Sequence, residues 1–361
     1  MANLIKEVTK GSQSFSLDSW YLDYLVCPRD YGRLRSSDHM LICPVGHRYP
    51  VVEGVPVMLL DDVKQTMQLV NGSLRRARGE VAINDKVPNL YLESLGMSEE
   101  EKQGVVQLAL SGDCKIDPVV AYIIGATNGY LYKHLIGRLD SYPIPDLYIH
   151  RGSDKTLLDL GCNWGRWSIS AARKGYDVVG IDVSLGAIMA AQRVSRALNL
   201  SGKIKYVVAD ARYLPFPSSL FDHVFSYSVL QHFSKEDVSF LLPGVARVLK
   251  KKGESLIQMP NFLGIRCLYH QAKRRFRKAR NFEVRYWSIP SLGKMFREII
   301  GKTEIFVDCF LGLGVQKADL PMMLKKQKIV IISSELLKRI SRFIPFLKIL
   351  ADSVYVRSIK T

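Results

Sequence analysis

Long apolar runs and cysteines are both scarce in this sequence. No run of eighteen or more apolar residues occurs, so a membrane-spanning helix is not expected. The first seven residues lack the apolar stretch and the small-residue cleavage site of a signal peptide. Six cysteines in 361 residues are too few and too scattered for a disulfide framework. These absences predict a cytoplasmic protein whose cysteines are reduced thiols or metal ligands.

Acidic residues are in short supply towards the C-terminus. The formal net charge is +17, and residues 250–361 hold 24 Lys or Arg against 8 Asp or Glu. The basic character therefore belongs to this last third. Within it, six cations occupy eight positions: Lys273, Arg274, Arg275, Arg277, Lys278 and Arg280. Such a run is typical of a solvated face, but it can also bind phosphate, nucleic acid or an anionic membrane surface.

The pattern of the chain divides it into three parts. Residues 21–62 are punctuated by Pro and Gly and rich in Val, Leu and Tyr, which predicts small β hairpins. Residues 63–150 have helix-like apolar spacing and form a predicted helical connector, with the strongest helix over 121–139. Residues 151–361 form the third part, with a core at 156–262, a basic segment at 263–300 and C-terminal strands and helices at 301–361.

Short buried strands alternate with helices from residue 156 onwards. The predicted strands are 156–160, 177–181, 204–209, 221–227, 254–259, 303–310 and 352–357, and a basic helix is predicted over 262–281. Alternation of this kind predicts an α/β fold, a mostly parallel sheet with helices on both faces.

A strand-to-helix turn carries the strongest functional signal. Within the segment Leu157 to Gly165, residues 159–165 read D-x-G-x-x-x-G, starting at Asp159. The glycines let the backbone pass close to a ligand. Asp182 ends the second predicted strand, where a carboxylate can accept both hydroxyls of a ribose, and Asp210 ends the third. A dinucleotide site would read G-x-G-x-x-G, and a carboxylate suits an ammonium better than a pyrophosphate. The pattern predicts a site for an adenosine-type cofactor that carries an ammonium group.

These motifs, in this order, resemble the class I S-adenosylmethionine-dependent methyltransferases, especially those that act on small molecules. The resemblance covers residues 156–262 and implies a Rossmann-like, seven-stranded, mostly parallel sheet. By position it implies that Asp182 holds the ribose of S-adenosylmethionine and that Asp210 with Ala211 holds the adenine. Asn163 stands where the family has its middle glycine, and Asn is the residue other than glycine that best tolerates positive φ. The site residues implied are Asp159, Gly161, Asn163, Gly165, Asp182, Asp210, Ala211 and Ser226.

The N-terminal part resembles the zinc-ribbon-like modules of methyltransferase activator subunits and of bacterial rRNA guanine-N1 methyltransferases. The implied ligand pairs are Cys27 with Asp30 and Cys43 with His47. Structural zinc sites prefer sulfur and nitrogen to carboxylate oxygen. Two hypotheses therefore stay open, a zinc site and a metal-free hairpin fold in which Cys27 and Cys43 are buried small hydrophobes.

The acceptor is expected beyond the carboxyl ends of the fourth and fifth predicted strands. His232 is the first candidate for a catalytic base, because its reference pKa lies near neutrality, and Tyr227 is a further candidate. The alternative for His232 is a capping or packing residue at a helix start. The basic, amphipathic segment 331–350 predicts either peripheral membrane contact or a helix packed between the last two strands.

Three functional hypotheses follow. The first is a methyltransferase for a small or lipid- or glycan-linked acceptor, and the second is an rRNA or tRNA methyltransferase, favoured by the N-terminal module and the basic last third. The fourth strand ends in Ser226 and Tyr227 and lacks the Asn/Asp-Pro-Pro-aromatic signature of enzymes that methylate exocyclic base amines. The third hypothesis is a cofactor-binding partner protein without catalysis.

Overall fold

The N-terminal part forms a small antiparallel sheet. The computed structural model describes residues 17–65, 67–82, 84–127, 130–312, 314 and 316–361, so the start examined for a signal peptide lies outside it. Helix α1 (Ser19–Tyr24) leads into strands β1 (Arg35–Ser37), β2 (Met40–Ile42), β3 (Arg48–Val52) and β4 (Val55–Pro56). These strands pair in sequence order, β1-β2-β3-β4, as hairpins joined by short turns do.

The connector contains three α-helices, α2 (Leu69–Ala77), α3 (Glu99–Ser111) and α4 (Pro118–Thr127), with 3₁₀ turns at Pro88–Leu90, Leu92–Ser94 and Tyr130–Leu135. The prediction of one helix over 121–139 is wrong. Helix α4 ends at Thr127, the residue before an Asn-Gly pair, and these residue types are typical of helix ends. A hydrogen bond from the N–H of Gly137 to the carbonyl of Ala121 folds the following turn back onto α4.

The third part is built around a seven-stranded sheet. Its strands are β5 (Thr156–Leu160), β6 (Asp177–Asp182), β7 (Ile204–Val208), β8 (Phe221–Ser226), β9 (Leu249–Pro260), β10 (Gly301–Cys309) and β11 (Ser353–Lys360). Their order is β10-β11-β9-β8-β5-β6-β7, and β11 runs antiparallel between β9 and β10 while the other pairs are parallel. The order reverses between β5 and β8, which is where open α/β sheets bind ligands.

Helices cover both faces of this sheet, which confirms the predicted fold class. The helices are α5 (Arg166–Arg173), α6 (Leu185–Ala197), α7 (Lys235–Val248), α8 (Ile265–Lys273), α9 (Ile289–Ile299) and α10 (Lys325–Ile340). Because successive strand residues point to opposite faces, Leu157 packs in the core of α5 and α6, whereas Leu158 packs in the core of α7 and α9. Leu157 and Leu158 are both buried although they face opposite sides of the sheet, which explains the near-continuous apolar runs of these strands.

The N-terminal sheet closes one edge of the large sheet. Val57 pairs with Val208 in a parallel bridge, and the N–H of Met58 donates to the carbonyl of Val208 at 2.7 Å. The hydroxyl of Tyr21 donates to the carbonyl of Tyr206 at 2.9 Å. An uncovered edge strand is a site of unwanted pairing, and these contacts cover β7.

Two predicted helices are shorter than the sequence suggested. The basic helix predicted over 262–281 is restricted to α8, because Arg275 and Phe276 have left-handed φ of 54° and 53° and no α-helix continues through them. The segment 331–350 is divided between α10 and a 3₁₀ turn, Pro345–Leu350, that begins at a proline. Within the described residues, no helix is long and apolar enough to cross a membrane.

Candidate active site

Three carboxylates lie at the carboxyl ends of three adjacent strands. Asp159 is the second-to-last residue of β5, Asp182 ends β6, and Asp210 follows β7. The register aligns Leu160 with Ile181, and Asp182 with Val208. The topology therefore brings together three of the residues that the sequence singled out for the cofactor.

The loop after β5 has the conformation that its sequence requires. Gly161, Asn163 and Gly165 have φ of 72°, 48° and 82°, all in the left-handed region. A Cβ on Gly161 would lie 2.4 Å from Cγ2 of Val229, so the space there admits only glycine. Asn163 adopts the positive φ that its residue type tolerates, and its side-chain oxygen accepts the N–H of Trp164 at 2.8 Å.

Gly165 has a packing role in this structure. A Cβ there would lie 2.5 Å from the Tyr206 hydroxyl and 3.3 Å from Cβ of Ala191. The glycine therefore lets the start of α5 approach β7 and α6 closely, as the last glycine of such loops does.

Asp159 is buried and accepts a hydrogen bond of 2.6 Å from the hydroxyl of Ser168. Burial raises the pKa of Asp159 to about 7, the Ser168 hydrogen bond opposes that rise, and the nearby charge of Asp182 adds to it. Burial also raises the pKa of Asp182, although the N–H groups of Ser184 and Asn163 donate to its carboxylate at 2.9 and 3.1 Å. Two poorly solvated carboxyls at one strand edge favour a cationic ligand.

Asp210 is paired within the protein. The Arg212 guanidinium donates to both its oxygens at 2.8–3.2 Å and also donates to the carbonyl of Lys64 at 3.0 Å. Both side chains of this pair are almost fully buried, as is the neighbouring Ala211. An adenine amino group would therefore share Asp210 with Arg212 or displace it.

Ser226 ends β8, on the other side of β5, and Tyr227 follows it. The Ser226 hydroxyl donates to the carbonyl of Leu160 at 3.0 Å and supports the end of β5. The ring of Tyr227 lies 4.6 Å from that of Trp167, and its hydroxyl donates to Oδ2 of Asp308 at 2.8 Å. Burial raises the pKa of Tyr227 well above its ordinary value, so its hydroxyl stays protonated.

Sequence reasoning missed the polar groups around Tyr227. Asp308 also accepts the Ser353 hydroxyl at 2.6 Å, and the side-chain amide of Gln316 donates to the Tyr227 hydroxyl at 3.0 Å. Asp308 is a buried acid between the buried residues Val307 and Cys309, which is a signal that the sequence contained. Gln316 had no such signal, because it lies outside any predicted strand or helix.

His232 lies in a 3₁₀ turn after β8, with both ring nitrogens engaged. Nδ1 lies 2.8 Å from the carbonyl of Phe282, which requires a proton on Nδ1, and Nε2 accepts from the side-chain amide of Gln231 at 3.2 Å. The ring stacks on that of Phe282 at 3.7 Å. Burial lowers the pKa of His232 to about 4, so the ring is neutral near pH 7.

The end of β9 contributes a buried amide. Oε1 of Gln258 accepts the N–H of Ser228 at 2.9 Å, whereas its Nε2 has no partner among the described residues. Buried polar atoms of native proteins are nearly always hydrogen-bonded, so an unpaired donor at a strand end suits a ligand or a water.

The four side chains that the sequence picked out as metal ligands meet in one cluster. Nδ1 of His47 lies 3.4 Å from Sγ of Cys27, 3.3 Å from Sγ of Cys43 and 3.0 Å from Oδ2 of Asp30. All four ligand atoms lie within 4.8 Å of one another. Ligand atoms of a tetrahedral zinc site are separated by roughly 3.3–3.8 Å, so the cluster fits such an ion.

Comparison with known proteins finds relatives of the third part of the chain. Residues 157–253 match the family model of a methyltransferase domain. The chain is 31% identical over 150 residues to the O-methyltransferase resE of Aspergillus sclerotiorum, covering 41% of this chain and 53% of that protein. It is 32% identical over 102 residues to phosphoethanolamine N-methyltransferase 1 of Zea mays, covering 28% of this chain and 20% of that protein.

The chain thus spans about half or less of the length of these relatives. Among solved structures, a SAM-dependent methyltransferase from Methanosarcina mazei superimposes with a TM-score of 0.41 and 18% identity, over 60% of this chain and 98% of that one.

Proposed function

We propose that this chain, whose residues 157–253 match the family model of a methyltransferase domain, is a class I S-adenosylmethionine-dependent enzyme that transfers the methyl group of S-adenosylmethionine to a small or lipid- or glycan-linked acceptor. When bound, the cofactor supplies an electrophilic methyl on a sulfonium. The protein's task is then to align the donor and acceptor and to manage one proton.

The observation that carries this proposal is the set of carboxyls at the ends of β5, β6 and β7. In this proposal Asp182 accepts the ribose hydroxyls, and Asp159 pairs with the ammonium group. Gly161, which cannot carry a side chain, leaves the backbone open to close approach. Burial makes an unpaired carboxylate costly at Asp159 and Asp182, so a cationic ligand stabilises both.

The acceptor is proposed to lie beyond the ends of β8 and β9. The unpaired Nε2 of Gln258 is a hydrogen-bond donor for it, and Tyr227, held by Asp308 and Gln316, shapes the wall. His232 remains the candidate base in this proposal, and its neutral ring retains an accepting Nε2 once Gln231 rotates away.

The test is calorimetric titration with S-adenosylmethionine, using Asp182→Ala and the matched control Asp177→Ala. Asp177 begins the same strand at its opposite end and pairs with exposed Lys203. We expect Asp182→Ala to weaken binding at least about tenfold, the loss of one charge-assisted hydrogen bond, and Asp177→Ala to leave it unchanged. Equal binding by wild type and Asp182→Ala would overturn the site.

Methyl transfer is measured with labelled S-adenosylmethionine, with pools of metabolites, glycolipids and RNA offered as acceptors. Label in RNA alone would replace this proposal with an RNA methyltransferase. Cofactor binding without transfer to any pool would favour a cofactor-binding partner protein.

We also propose that Cys27, Asp30, Cys43 and His47 hold a structural zinc ion, supported by the fit of their ligand atoms to a tetrahedral site. Four protein ligands leave no open position, so the ion stabilises the N-terminal sheet and performs no chemistry. Elemental analysis after purification with zinc should find one ion per chain in wild type and in Cys114→Ser, and none in Cys43→Ser. An equal zinc content in all three would contradict the assignment.

A further inference from the structure

A large apolar surface near the C-terminus is exposed among cations. We call it the C-terminal patch, and it consists of residues 262–282 and 324–350. Phe343 is 86% exposed, and Ile329 and Phe346 are each 65% exposed. Further exposed apolar side chains in the patch are Phe262, Leu263, Ile265, Tyr269, Phe276, Phe282, Leu324, Ile332, Leu336, Ile344, Ile349 and Leu350. A monomer in water rarely exposes so many apolar side chains together.

Helix α10 presents an apolar stripe on its outer side. Ile331, Ser334 and Lys338 are buried against the protein. Ile329, Ile332 and Leu336 are exposed, and their spacing of three and four residues places them on one helical face. The helix therefore packs beside β10, as one of the two hypotheses for this segment predicted, and still leaves a second apolar face uncovered.

The two halves of the patch are adjacent in space. The side-chain amide of Asn261 donates to the carbonyls of Ile349 and Ala351 at 2.6 and 2.9 Å, and the N–H of Arg266 donates to Asp352 at 2.7 Å. These contacts hold Phe262 and Leu263 beside the end of the 3₁₀ turn at 345–350. They also place this junction of the two halves at the carboxyl end of β9, the edge that carries the candidate active site.

The charge of the patch is of one sign. Residues 262–282 contain seven Lys or Arg and no Asp or Glu, and residues 324–350 contain seven Lys or Arg and one Glu. Among the described residues, Lys273, Arg275 and Lys278 form no ion pair, whereas Arg277 pairs with Glu283 at 2.6 Å. The surface thus combines an unneutralised positive charge with uncovered aliphatic and aromatic groups.

We propose that the C-terminal patch docks this protein onto the surface of an anionic lipid bilayer. Cations bind the phosphate headgroups while the apolar side chains enter the boundary with the acyl chains. RNA would use the cations and could stack on the aromatic rings, but it gives exposed Ile and Leu no favourable surroundings. A second copy of the chain would bring two strongly positive surfaces together. Only an anionic membrane matches both the charge and the apolar groups.

The experiment is co-sedimentation of the full chain with phosphatidylcholine vesicles, with and without phosphatidylglycerol. It uses no cofactor, so its result is independent of the proposed methyl transfer. We expect binding to the anionic vesicles only, weakened by high salt because headgroup contacts are screened. No sedimentation with anionic vesicles would overturn the proposal.

Two sets of variants separate the contributions. The double variant Phe343→Ser, Phe346→Ser should bind vesicles at least about tenfold more weakly, because it loses the burial of two apolar side chains. The control Val45→Ser, Leu110→Ser changes two exposed apolar sites elsewhere and should bind as the wild type does. The double variant Lys325→Gln, Lys326→Gln should weaken vesicle binding by roughly fivefold per cation. The control Lys251→Gln, Lys302→Gln removes two cations outside the patch and should weaken binding far less. Equal losses in test and control variants would contradict docking through this patch.

Two further measurements distinguish other occupants. RNA that co-purifies and is lost in the Lys325→Gln, Lys326→Gln variant, without vesicle binding by the wild type, would identify a nucleic-acid surface. A dimer that becomes a monomer in the Phe343→Ser, Phe346→Ser variant, measured by light scattering, would identify a contact between copies. Either result would replace the membrane proposal.

Discussion

The N–H of Met58 donates to the carbonyl of Val208 at 2.7 Å, so the residues that follow β4 of the small N-terminal sheet bond to the edge of the seven-stranded sheet. The bond joins residues 150 positions apart in the chain. The N-terminal part is therefore structurally continuous with the seven-stranded sheet, and changes at this junction should affect the stability of both.

Tyr21→Phe should lower the free energy of unfolding by about 1–2 kcal/mol, because it removes a buried hydroxyl that donates to the carbonyl of Tyr206. Tyr24→Phe, on the same helix, is the control, since Tyr24 is exposed. Urea unfolding of the three proteins measures the difference. Equal stability of both variants would show that the junction contributes little.

Gly161→Ala should abolish binding of S-adenosylmethionine and lower the free energy of unfolding by about 2–4 kcal/mol, because the added Cβ meets Val229 and the residue has φ of 72°. Gly202→Ala, where the Cβ meets nothing within 4 Å, should leave both unchanged. Calorimetry and thermal unfolding report the two effects. Retained cofactor affinity in Gly161→Ala would contradict the placement of the loop.

Cofactor affinity should rise with pH up to about pH 7. Burial raises the pKa of Asp159 to about 7, so below that pH its carboxyl is protonated and must release the proton to pair with an ammonium. The affinity should fall by up to about tenfold for each pH unit below 7. Calorimetry in buffers of different ionisation enthalpy should detect proton release near pH 6. In Asp159→Asn this release should disappear, and a release equal to that of the wild type would refute the role of Asp159.

His232 should make the protein less stable in acid. Burial lowers the pKa of His232 to about 4, so between about pH 6.5 and 4 the unfolded chain binds a proton that the folded chain does not. Stability is thus present above pH 6.5 and is lost as the pH falls through this range, by up to about 3 kcal/mol. Urea unfolding of His232→Asn should show a smaller loss, and His39→Asn, at an exposed position, should match the wild type.

The strands of the large sheet were predictable because they are buried on both faces and read as short apolar runs. Thr156–Leu160 has the predicted bounds, and β6, β7 and β8 differ by one residue at one end. Strand β9 begins at Leu249, five residues before its predicted start, because Lys250 to Lys252 are polar and do not read as a strand. Helices α4 and α8 were overestimated since helical spacing continues in the sequence beyond the residues at which the backbone leaves the helix.

The positions of the three carboxylates at strand ends were also predictable, because the parallel topology gathers the ends of successive strands at one edge. Their partners were not. Arg166 and Asp319 are 153 positions apart and form a buried ion pair at 2.7 Å, and no local pattern links them. The pairing of Asp210 with Arg212 depends on how their side chains are enclosed, which the sequence does not show.

By itself the sequence determined the class of the fold, the strand-end carboxylates and the four side chains of the N-terminal cluster, because each depends on residue type at a short spacing. Only the tertiary structure decided which surfaces are covered. The edge of β7 is contacted by residues from a distant segment, whereas the apolar outer face of α10 is left exposed. Burial depends on contacts between residues far apart in the chain, and those contacts are properties of the assembled fold.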